Sequence, residues 1–301
     1  MKKWIKGISA ILGAALLLAS CGGQGGSSSS DDSCAEVSSR PAPVPIFASA
    51  DEYPKVDGST ANLPLMAQVM ADTCGISLEE AQSRTSNTGT NYAWSNLTEG
   101  YADLLLVYEA PEEMQKQVEE SGVELEITPV GRDALVFLVN EANPVKELTT
   151  DQLRDIYTGK VTNWKDVGGN DEGIVPFQRN STSGSQTMFL KLLMQDTKPM
   201  DPPQDLMISG MAGLIEQVAD YDNGGGAIGY SVYYYASLMY QKPELRILSV
   251  NDVEPSAQSI KDGSYPLLND FYLVIRKDEP VGSAARQLRD WILSDNGRQA
   301  F

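Results

Sequence analysis

The chain has 301 residues with 41 acidic and 23 basic side chains, a net charge of −18 and no histidine. This length supports one large domain or two of ordinary size. The negative charge argues against nucleic-acid binding, which needs clustered lysine and arginine. The lack of histidine excludes Ser-His-Asp and Cys-His nucleophile pairs and histidine metal sites.

The first 20 residues have the pattern of a signal peptide. Lys2, Lys3 and Lys6 precede an apolar stretch over 8–19, which is too short to span a bilayer. Small residues then lead into Cys21, a pattern that resembles a bacterial lipobox. We therefore predict a lipoprotein signal peptide over 1–20 and a diacyl anchor on Cys21, since two acyl chains hold a protein stably at a membrane. An ordinary secretory signal cut nearby, or an uncleaved anchor, is the alternative.

Residues 21–45 predict a flexible tether, because they are rich in glycine and serine and end in spaced prolines. The globular part is expected to begin near 45–47. Two further cysteines, Cys34 and Cys74, are interpreted as unpaired thiols, with a disulfide between them as the alternative. We expect no metal site, because histidine and Cys-x-x-Cys pairs are absent from the sequence.

Helical and strand patterns alternate along the rest of the chain, which predicts an α/β fold. Leu63, Met66, Ala67 and Met70 have helical spacing, with Ser59 or Thr60 before them as a candidate N-cap. Further helices are predicted over 90–99 with Gly100 as a stop, from Thr149 or Thr150 to Gly159, around 188–193 and over 283–301. Strands are predicted over 104–107, 134–139, 174–177, 227–230 and 271–275. The tyrosines at 233–235 are expected in the core.

Three loops combine glycine with small hydroxyl residues directly before a predicted helix. They span 57–60, 86–90 and 181–185. A helix N-terminus presents unpaired N–H groups and partial positive charge, and glycine allows a ligand to approach the backbone. Several such ends meeting at one cleft would bind an anion. For each loop taken alone, simple N-capping is the alternative.

Arg179 distinguishes the third loop from the other two. It follows a strand-like segment and lies four residues before Ser183, where a Ser-Gly-Ser turn starts a helix. A guanidinium offers planar, bidentate donors that suit an oxyanion. The alternative is a surface arginine in a salt bridge.

The Arg-x-x-x-Ser-Gly-Ser pattern resembles the binding signature of the phosphate-binding proteins of ABC transporters, within the type II periplasmic-binding-protein superfamily. Other segments are similar to the same family: 58–60, 100–105, 131–134, 143–145, 153–164, 226–230 and 272–277. The resemblance runs from about residue 55 to the C-terminus.

The resemblance implies an α/β protein with the two-lobed fold called a Venus flytrap. One lobe would hold 46–133 plus 266–301, and the other would hold 134–265. Two crossover strands, near 135–140 and 272–276, would form the hinge. The ligand would lie between the lobes, and its binding would close them.

The resemblance also implies a set of ligand-binding residues. They are Ser59, Thr60, the amide of Ala61, Thr90 (with Thr88 as second choice), Arg179, Ser183, Gly184 and Ser185. Glu109 is the nearest match to an acid that accepts a proton from bound phosphate, although it could instead be a solvated loop acid. Such an acceptor favours hydrogen phosphate over sulfate, which has no proton to donate. The family often has an acid two residues after the arginine, where this chain has Ser181.

The implied function is that of an extracytoplasmic lipoprotein that captures inorganic phosphate and delivers it to the permease and ATPase of an ABC importer. We expect a monomer with no cofactor, no catalytic residue and no enzymatic activity. The alternatives are another oxyanion or a small phosphorylated ligand, or a surface protein in sensing or adhesion. A hydrolase using Ser183 is disfavoured, because no histidine is present to activate the serine. The net charge opposes anion approach, but salt screens it beyond about 8 Å.

Overall fold

The computed structural model describes residues 44–202, 207–208, 210–221 and 225–298. The predicted signal peptide, the lipidation site Cys21 and the tether up to residue 43 lie outside these residues, as does Cys34. Cys74 is a free, buried thiol. In the ranges that the structure describes, no helix combines the length and apolarity that crossing a bilayer requires.

The fold is mixed α/β, as the sequence predicts. The α-helices are α1 Leu63–Cys74, α2 Leu78–Arg84, α3 Thr90–Thr98, α4 Glu112–Ser121, α5 Thr150–Tyr157, α6 Gly184–Met188, α7 Met211–Asp220, α8 Ala257–Lys261, α9 Ala284–Leu293 and α10 Asp295–Arg298. Short 3₁₀ turns cover Ala50–Glu52, Thr60–Asn62 and Trp164–Val167, and π-helical turns cover Phe189–Met194 and Tyr235–Met239. The strands are β1 Val56–Gly58, β2 Leu104–Val107, β3 Leu125–Asn140, β4 Glu147–Leu148, β5 Val175–Pro176, β6 Gln178–Arg179, β7 Met207–Ile208, β8 Ala227–Val232, β9 Leu245–Ile247, β10 Ser249–Val250 and β11 Leu268–Arg276.

The main sheet runs in the order β1-β2-β11-β3-β8-β5, with β9 also paired to β3. The long strand β3 changes partner along its length. Its first part is antiparallel to β11, up to the pair Ala134 and Leu268. Its second part is antiparallel to β8, starting at Leu135 opposite Val232. The predicted strand over 134–139 is therefore the second part of a strand that serves two groups of neighbours.

Strand β2 shows why a short, fully apolar run forms a strand here. Leu104 and Leu106 face a cluster of side chains from α1, α9 and β11. Leu105 and Val107 face a second cluster formed with α3 and α4. Because successive side chains point to opposite faces of a sheet, helices on both faces bury all four residues. Strand β2 and the segment that follows its carboxyl end therefore lie inside the fold.

The predicted helix ends are confirmed at two places. Helix α3 begins at Thr90 and ends before Gly100, which has a φ of 80°. Helix α5 begins with a capping box in which the Thr149 hydroxyl accepts from the Gln152 amide, while the Gln152 side chain accepts from the Thr149 amide. Gly159 follows that helix in the left-handed region. Both ends are determined by local sequence, which explains why they are predictable.

The predicted cap of the first helix is wrong in its detail. A 3₁₀ turn over Thr60–Asn62 precedes α1, and Ser59 makes no capping bond from its side chain. The Ser59 hydroxyl instead accepts a hydrogen bond from the amide of Tyr108, 2.9 Å away. Ser59 therefore bonds to a distant part of the chain and does not cap the helix.

The tyrosines after β8 are only partly in the core, contrary to the prediction. Tyr235 is buried, whereas Tyr234 is 37% exposed. The three residues enter a helical turn, so that consecutive side chains point in different directions.

Helices α2, α4 and α7 were not predicted. In α4 only Met114 is buried, so the chain has little apolar periodicity there.

Gly58 lets the first loop approach strand β2, and its replacement tests this packing. A Cβ atom at Gly58 would lie 2.0 Å from the carbonyl oxygen of Leu106. We expect Gly58→Ala to lower the free energy of unfolding by about 3 kcal/mol, because the backbone of β2 would have to move. Chemical denaturation measures this change. Gly173→Ala is the control, since no atom lies within 4 Å of its added Cβ, and it should change stability by less than about 1 kcal/mol. Equal effects of the two substitutions would contradict the close packing of Gly58 against β2.

Candidate functional site

The first predicted loop leaves β1 and is held against the second. Ser59 is 1% exposed, and its hydroxyl oxygen lies 2.8 Å from that of Thr90. Thr90 is the first residue of α3 and is also buried. The two hydroxyl groups therefore share one hydrogen bond at the start of a helix, where unpaired N–H groups also point outward.

Asp57 positions the second loop by accepting three hydrogen bonds from Thr88 and Asn96. It accepts from the amide of Thr88 at 2.8 Å, the hydroxyl of Thr88 at 2.6 Å and the side-chain amide of Asn96 at 2.9 Å. The amide of Gly58 adds a bond of 2.7 Å. Because its hydroxyl is bound to Asp57, Thr88 supports the loop, and Thr90 remains the better ligand candidate of the two.

The 3₁₀ turn that follows the first loop carries two further predicted residues. The side-chain amide of Asn87 lies 3.2 Å from the hydroxyl oxygen of Thr60 and so connects the second loop to this turn. Ala61 is 2% exposed and packs into the main core cluster. Its side chain anchors the turn, so that the first amide groups of the turn are held beside the Ser59–Thr90 pair.

The third loop ends at the N-terminus of α6 and contacts the second. The Ser183 hydroxyl accepts from the amide of Gln186 at 3.1 Å, so that Ser183 is an N-cap. The hydroxyl oxygens of Ser183 and Ser185 are 3.5 Å apart. At Gly184 an added Cβ would lie 2.5 Å from the hydroxyl oxygen of Thr90. The N-termini of α3 and α6 therefore approach each other closely, and glycine is required at that contact.

Arg179 lies next to this contact and is 8% exposed, so the alternative of a surface residue is wrong. Its Nε donates to the carbonyl of Ile208 at 3.0 Å, and its Nη1 donates to the hydroxyl of Ser185 at 3.3 Å. Its backbone amide donates to the hydroxyl of Tyr230 and to the side chain of Gln186. Burial lowers the pKa of Arg179 from its ordinary value, but an arginine of this kind stays charged at neutral pH. The site thus holds a fixed, partly desolvated cation.

Glu109 lies two residues after the end of β2 and forms an ion pair with Lys191, in the π-helical turn that continues α6. The side chain of Glu109 is 34% exposed in this pair, so the ion pair does not test the alternative of a solvated loop acid. The hydrogen bond to Glu109 raises the pKa of Lys191. Whether Glu109 also contacts a ligand stays a prediction.

A cavity of about 330 Å³ lies beside the second loop, and the second-choice residue Thr88 is the one predicted ligand residue that lines it. Residues that line it include Lys55, Asp57, Arg84 and Thr88. The candidate anion site is instead the place where the N-termini of α3 and α6 meet, at Thr90 and Gly184.

Sequence reasoning missed the residues that hold the site together. They are Asp57, Asn87, Tyr108, Gln186, Lys191 and Tyr230. Asp57 and Asn87 lie inside the loops predicted over 57–60 and 86–90, but nothing in the sequence marks them as anchors. Gln186 is seven residues from Arg179, whereas the partners of the other three are distant in the sequence.

Comparison with known proteins shows the class of this fold and site. A family model described as the PBP superfamily domain matches residues 46–296. The chain therefore belongs to the PBP superfamily, and its α/β fold is the type II fold of periplasmic binding proteins, as the sequence predicts.

Among curated proteins, the chain is similar to the phosphate-binding protein PstS of Staphylococcus epidermidis. The two are 27% identical over 316 aligned positions, which cover 100% of this chain and 87% of the relative. PstS of Staphylococcus haemolyticus is 26% identical and covers 100% of this chain and 91% of the relative.

Among solved structures, the chain is similar to a candidate phosphate ABC transporter substrate-binding protein with bound phosphate from Clostridium perfringens. The TM-score is 0.64 at 25% identity, covering 81% of this chain and 94% of that one. The fold is also that of an ABC-type phosphate transport receptor from Vibrio cholerae, with a TM-score of 0.58 at 22% identity over 81% and 95% of the two chains.

The bonds of Asp57 make a prediction about loop stability. Asp57→Asn replaces one acceptor oxygen by an amide group that faces the donors of Thr88 and Asn96. We expect the free energy of unfolding to fall by about 2 kcal/mol, because the buried side chain at position 57 would then set a donor against these donors. Urea denaturation monitored by circular dichroism measures it. Asp171→Asn, on an exposed acid paired with Lys165, should cost less than about 0.5 kcal/mol. A cost at Asp57 no larger than that would contradict the anchoring role.

Proposed function

We propose that this protein captures inorganic phosphate and delivers it to an ABC importer, as a binding protein rather than an enzyme. The observation that carries the proposal is the meeting of two helix N-termini, at Thr90 and Gly184, beside the buried cation Arg179. This arrangement supplies amide and hydroxyl donors with a fixed positive charge, which is the chemistry that an oxyanion needs. The names of the curated relatives and the phosphate bound in the similar structure from Clostridium perfringens identify the anion.

In this proposal the ligand is bound by three loops and one side chain. The first loop contributes Ser59, Thr60 and the amide of Ala61, and the second contributes Thr90. The third loop contributes Ser183, Gly184 and Ser185, while the guanidinium of Arg179 neutralises part of the charge of the ligand. The existing hydrogen bond between Ser59 and Thr90 supports this assignment, because an anion can take over hydroxyl donors that are already oriented.

Glu109 is proposed as the group that distinguishes phosphate from sulfate. A carboxylate accepts the proton of hydrogen phosphate but repels fully ionised sulfate. The ion pair with Lys191 supports this role, because it fixes the position of the carboxylate two residues after β2. Glu109 is also one residue after Tyr108, whose amide holds the Ser59 hydroxyl.

We further propose that residues 46–133 with 266–301 form one lobe and residues 134–265 form the other. The change of partner on β3 between Ala134 and Leu135 supports this division. Strands β3 and β11 would then carry the hinge, and ligand binding would stabilise the closed form.

The remaining features of the proposal concern location. A lipid on Cys21 and the tether over 21–45 would hold a monomeric domain at the outer face of the cell membrane. There it would meet the permease and ATPase of the importer. The tether would let the domain reach the permease while it remains bound to the membrane.

The phosphate proposal predicts a specific loss in an arginine variant. We expect the protein, freed of bound anion by partial unfolding and refolding, to bind phosphate tightly in calorimetric titration. Arg179→Ala should weaken binding by at least about 100-fold, because the ligand then lacks its buried cation. Arg179→Lys should recover only part of this loss, since lysine lacks the planar pair of donors.

Arg246→Ala is the matched control, because Arg246 is partly buried but bonds to Glu141 and to carbonyl groups in the segment after β3. Its phosphate affinity should equal that of the unchanged protein. If titration with phosphate gives no binding heat in any form of the protein, the choice of phosphate as the ligand is overturned. The other oxyanions would then be titrated.

A second test concerns the proton acceptor. Glu109→Gln should reduce the preference for phosphate over sulfate about ten-fold, because the amide group no longer repels sulfate and can donate to it. Titration with each anion at one pH measures the ratio. Lys191→Gln breaks the same ion pair but keeps the carboxylate, and should retain the preference. An unchanged ratio in Glu109→Gln would show that another group selects the anion.

A further inference from the structure

The carboxylate of Asp133 lies at the place where β3 changes partner, and it is 4% exposed. Its Oδ2 accepts a hydrogen bond of 2.8 Å from the hydroxyl of Tyr108. Its Oδ1 accepts from the amide of Ala134 at 2.8 Å and from the amide of Tyr234 at 3.2 Å. Three separate segments therefore meet on one buried side chain: the segment after β2, strand β3 and the segment after β8.

Tyr108 continues this connection to the ligand loops. Its side chain is buried against Phe271 of β11, with ring centroids 6.2 Å apart. Its backbone amide donates to the hydroxyl of Ser59, which in turn lies 2.8 Å from the hydroxyl of Thr90. Tyr108 thus connects Asp133, through its side-chain hydroxyl, to the two hydroxyl groups of the candidate site, through its backbone amide.

The hydroxyl of Tyr108 is the donor in the Asp133–Tyr108 pair. Burial and the nearby carboxylate raise the pKa of Tyr108 far above its ordinary value. Burial also raises the pKa of Asp133, while bonds from the Ala134 amide and the Tyr108 hydroxyl act in the opposite direction. A buried carboxylate that accepts several bonds holds its donors more strongly than a neutral acceptor would.

We infer that Asp133 is a positioning residue that fixes the ligand loops relative to the segment after β8, and thereby determines how long the bound anion is retained. The inference rests on the proposed function, because it assumes that the site binds phosphate and that the two parts of the main sheet move relative to each other. Opening between these parts would separate Asp133 from either the Tyr234 amide or the Tyr108 hydroxyl. Asp133 does not contact the anion and acts only through Tyr108 and Tyr234.

The test compares phosphate kinetics in Asp133→Asn and Tyr108→Phe with those of the unchanged chain, by stopped-flow tryptophan fluorescence. Asp133→Asn keeps the size of the side chain but removes the charged acceptor, and Tyr108→Phe removes only the hydroxyl. Each should raise the phosphate dissociation rate about ten-fold, the effect of one lost charge-assisted bond, while the association rate stays within about two-fold. The double variant should be no worse than Asp133→Asn alone, because both changes break the same link.

Asp72→Asn is the matched control, since Asp72 is a buried carboxylate in α1 that accepts from Gln68 at 2.8 Å. Its dissociation rate should stay at the value of the unchanged chain, although its melting temperature falls. The inference is overturned if Asp133→Asn and Tyr108→Phe also lower only the melting temperature, or if their effects on dissociation multiply in the double variant. If the unchanged chain does not bind phosphate, the proposed function itself fails, which is a separate result.

Discussion

The sixteen-residue strand β3 is the constraint on which the rest of the molecule depends, because its two parts pair with different partners. Strand pairing needs an extended backbone. Strand β3 therefore stays extended, without a break, where its partner changes from β11 to β8. The segments at the carboxyl ends of β2 and β8 are thereby brought to the same place. Asp133, just before the change of partner, bonds to both of them. The position of the candidate site follows from this pairing.

The site is built from donors that are held by residues outside it. Asp57 binds the second loop, Asn87 reaches the first turn, and the hydroxyl of Tyr230 accepts from the amide of Arg179. Asp57 and Tyr230 are buried and would lose their partners if the loops moved, so this movement has an energetic cost. An anion entering such a site meets donors that are already oriented, and less free energy is spent on ordering them. In the proposed site, a few hydroxyl groups and one arginine can therefore be enough to bind an anion.

The overall charge of −18 and the chemistry of the site act in opposite directions. The negative surface slows the approach of an anion at low salt, whereas the local donors act only at short range. Arg179 is buried, so its interaction with a ligand is screened less than that of a surface charge. Lys191 and Glu109 neutralise each other at the partly exposed margin. Affinity in this arrangement is determined by the enclosed contacts, and the net charge affects mainly the rate of encounter.

Features whose cause is local can be predicted from the residues alone. The apolar run of β2, the capping box of α5, the glycine after α3 and the Arg-x-x-x-Ser-Gly-Ser pattern each depend on residues within a few positions of one another. Only the tertiary structure decided that the Ser59 hydroxyl meets Tyr108 instead of capping a helix, that Arg179 is buried, and that Glu109 pairs with Lys191. The bonds from Thr88 to Asp57, from Tyr108 to Asp133 and from Lys191 to Glu109 join residues 31, 25 and 82 positions apart. A single polar residue has many possible partners at such distances, and only the packing of the strands and helices between them selects one.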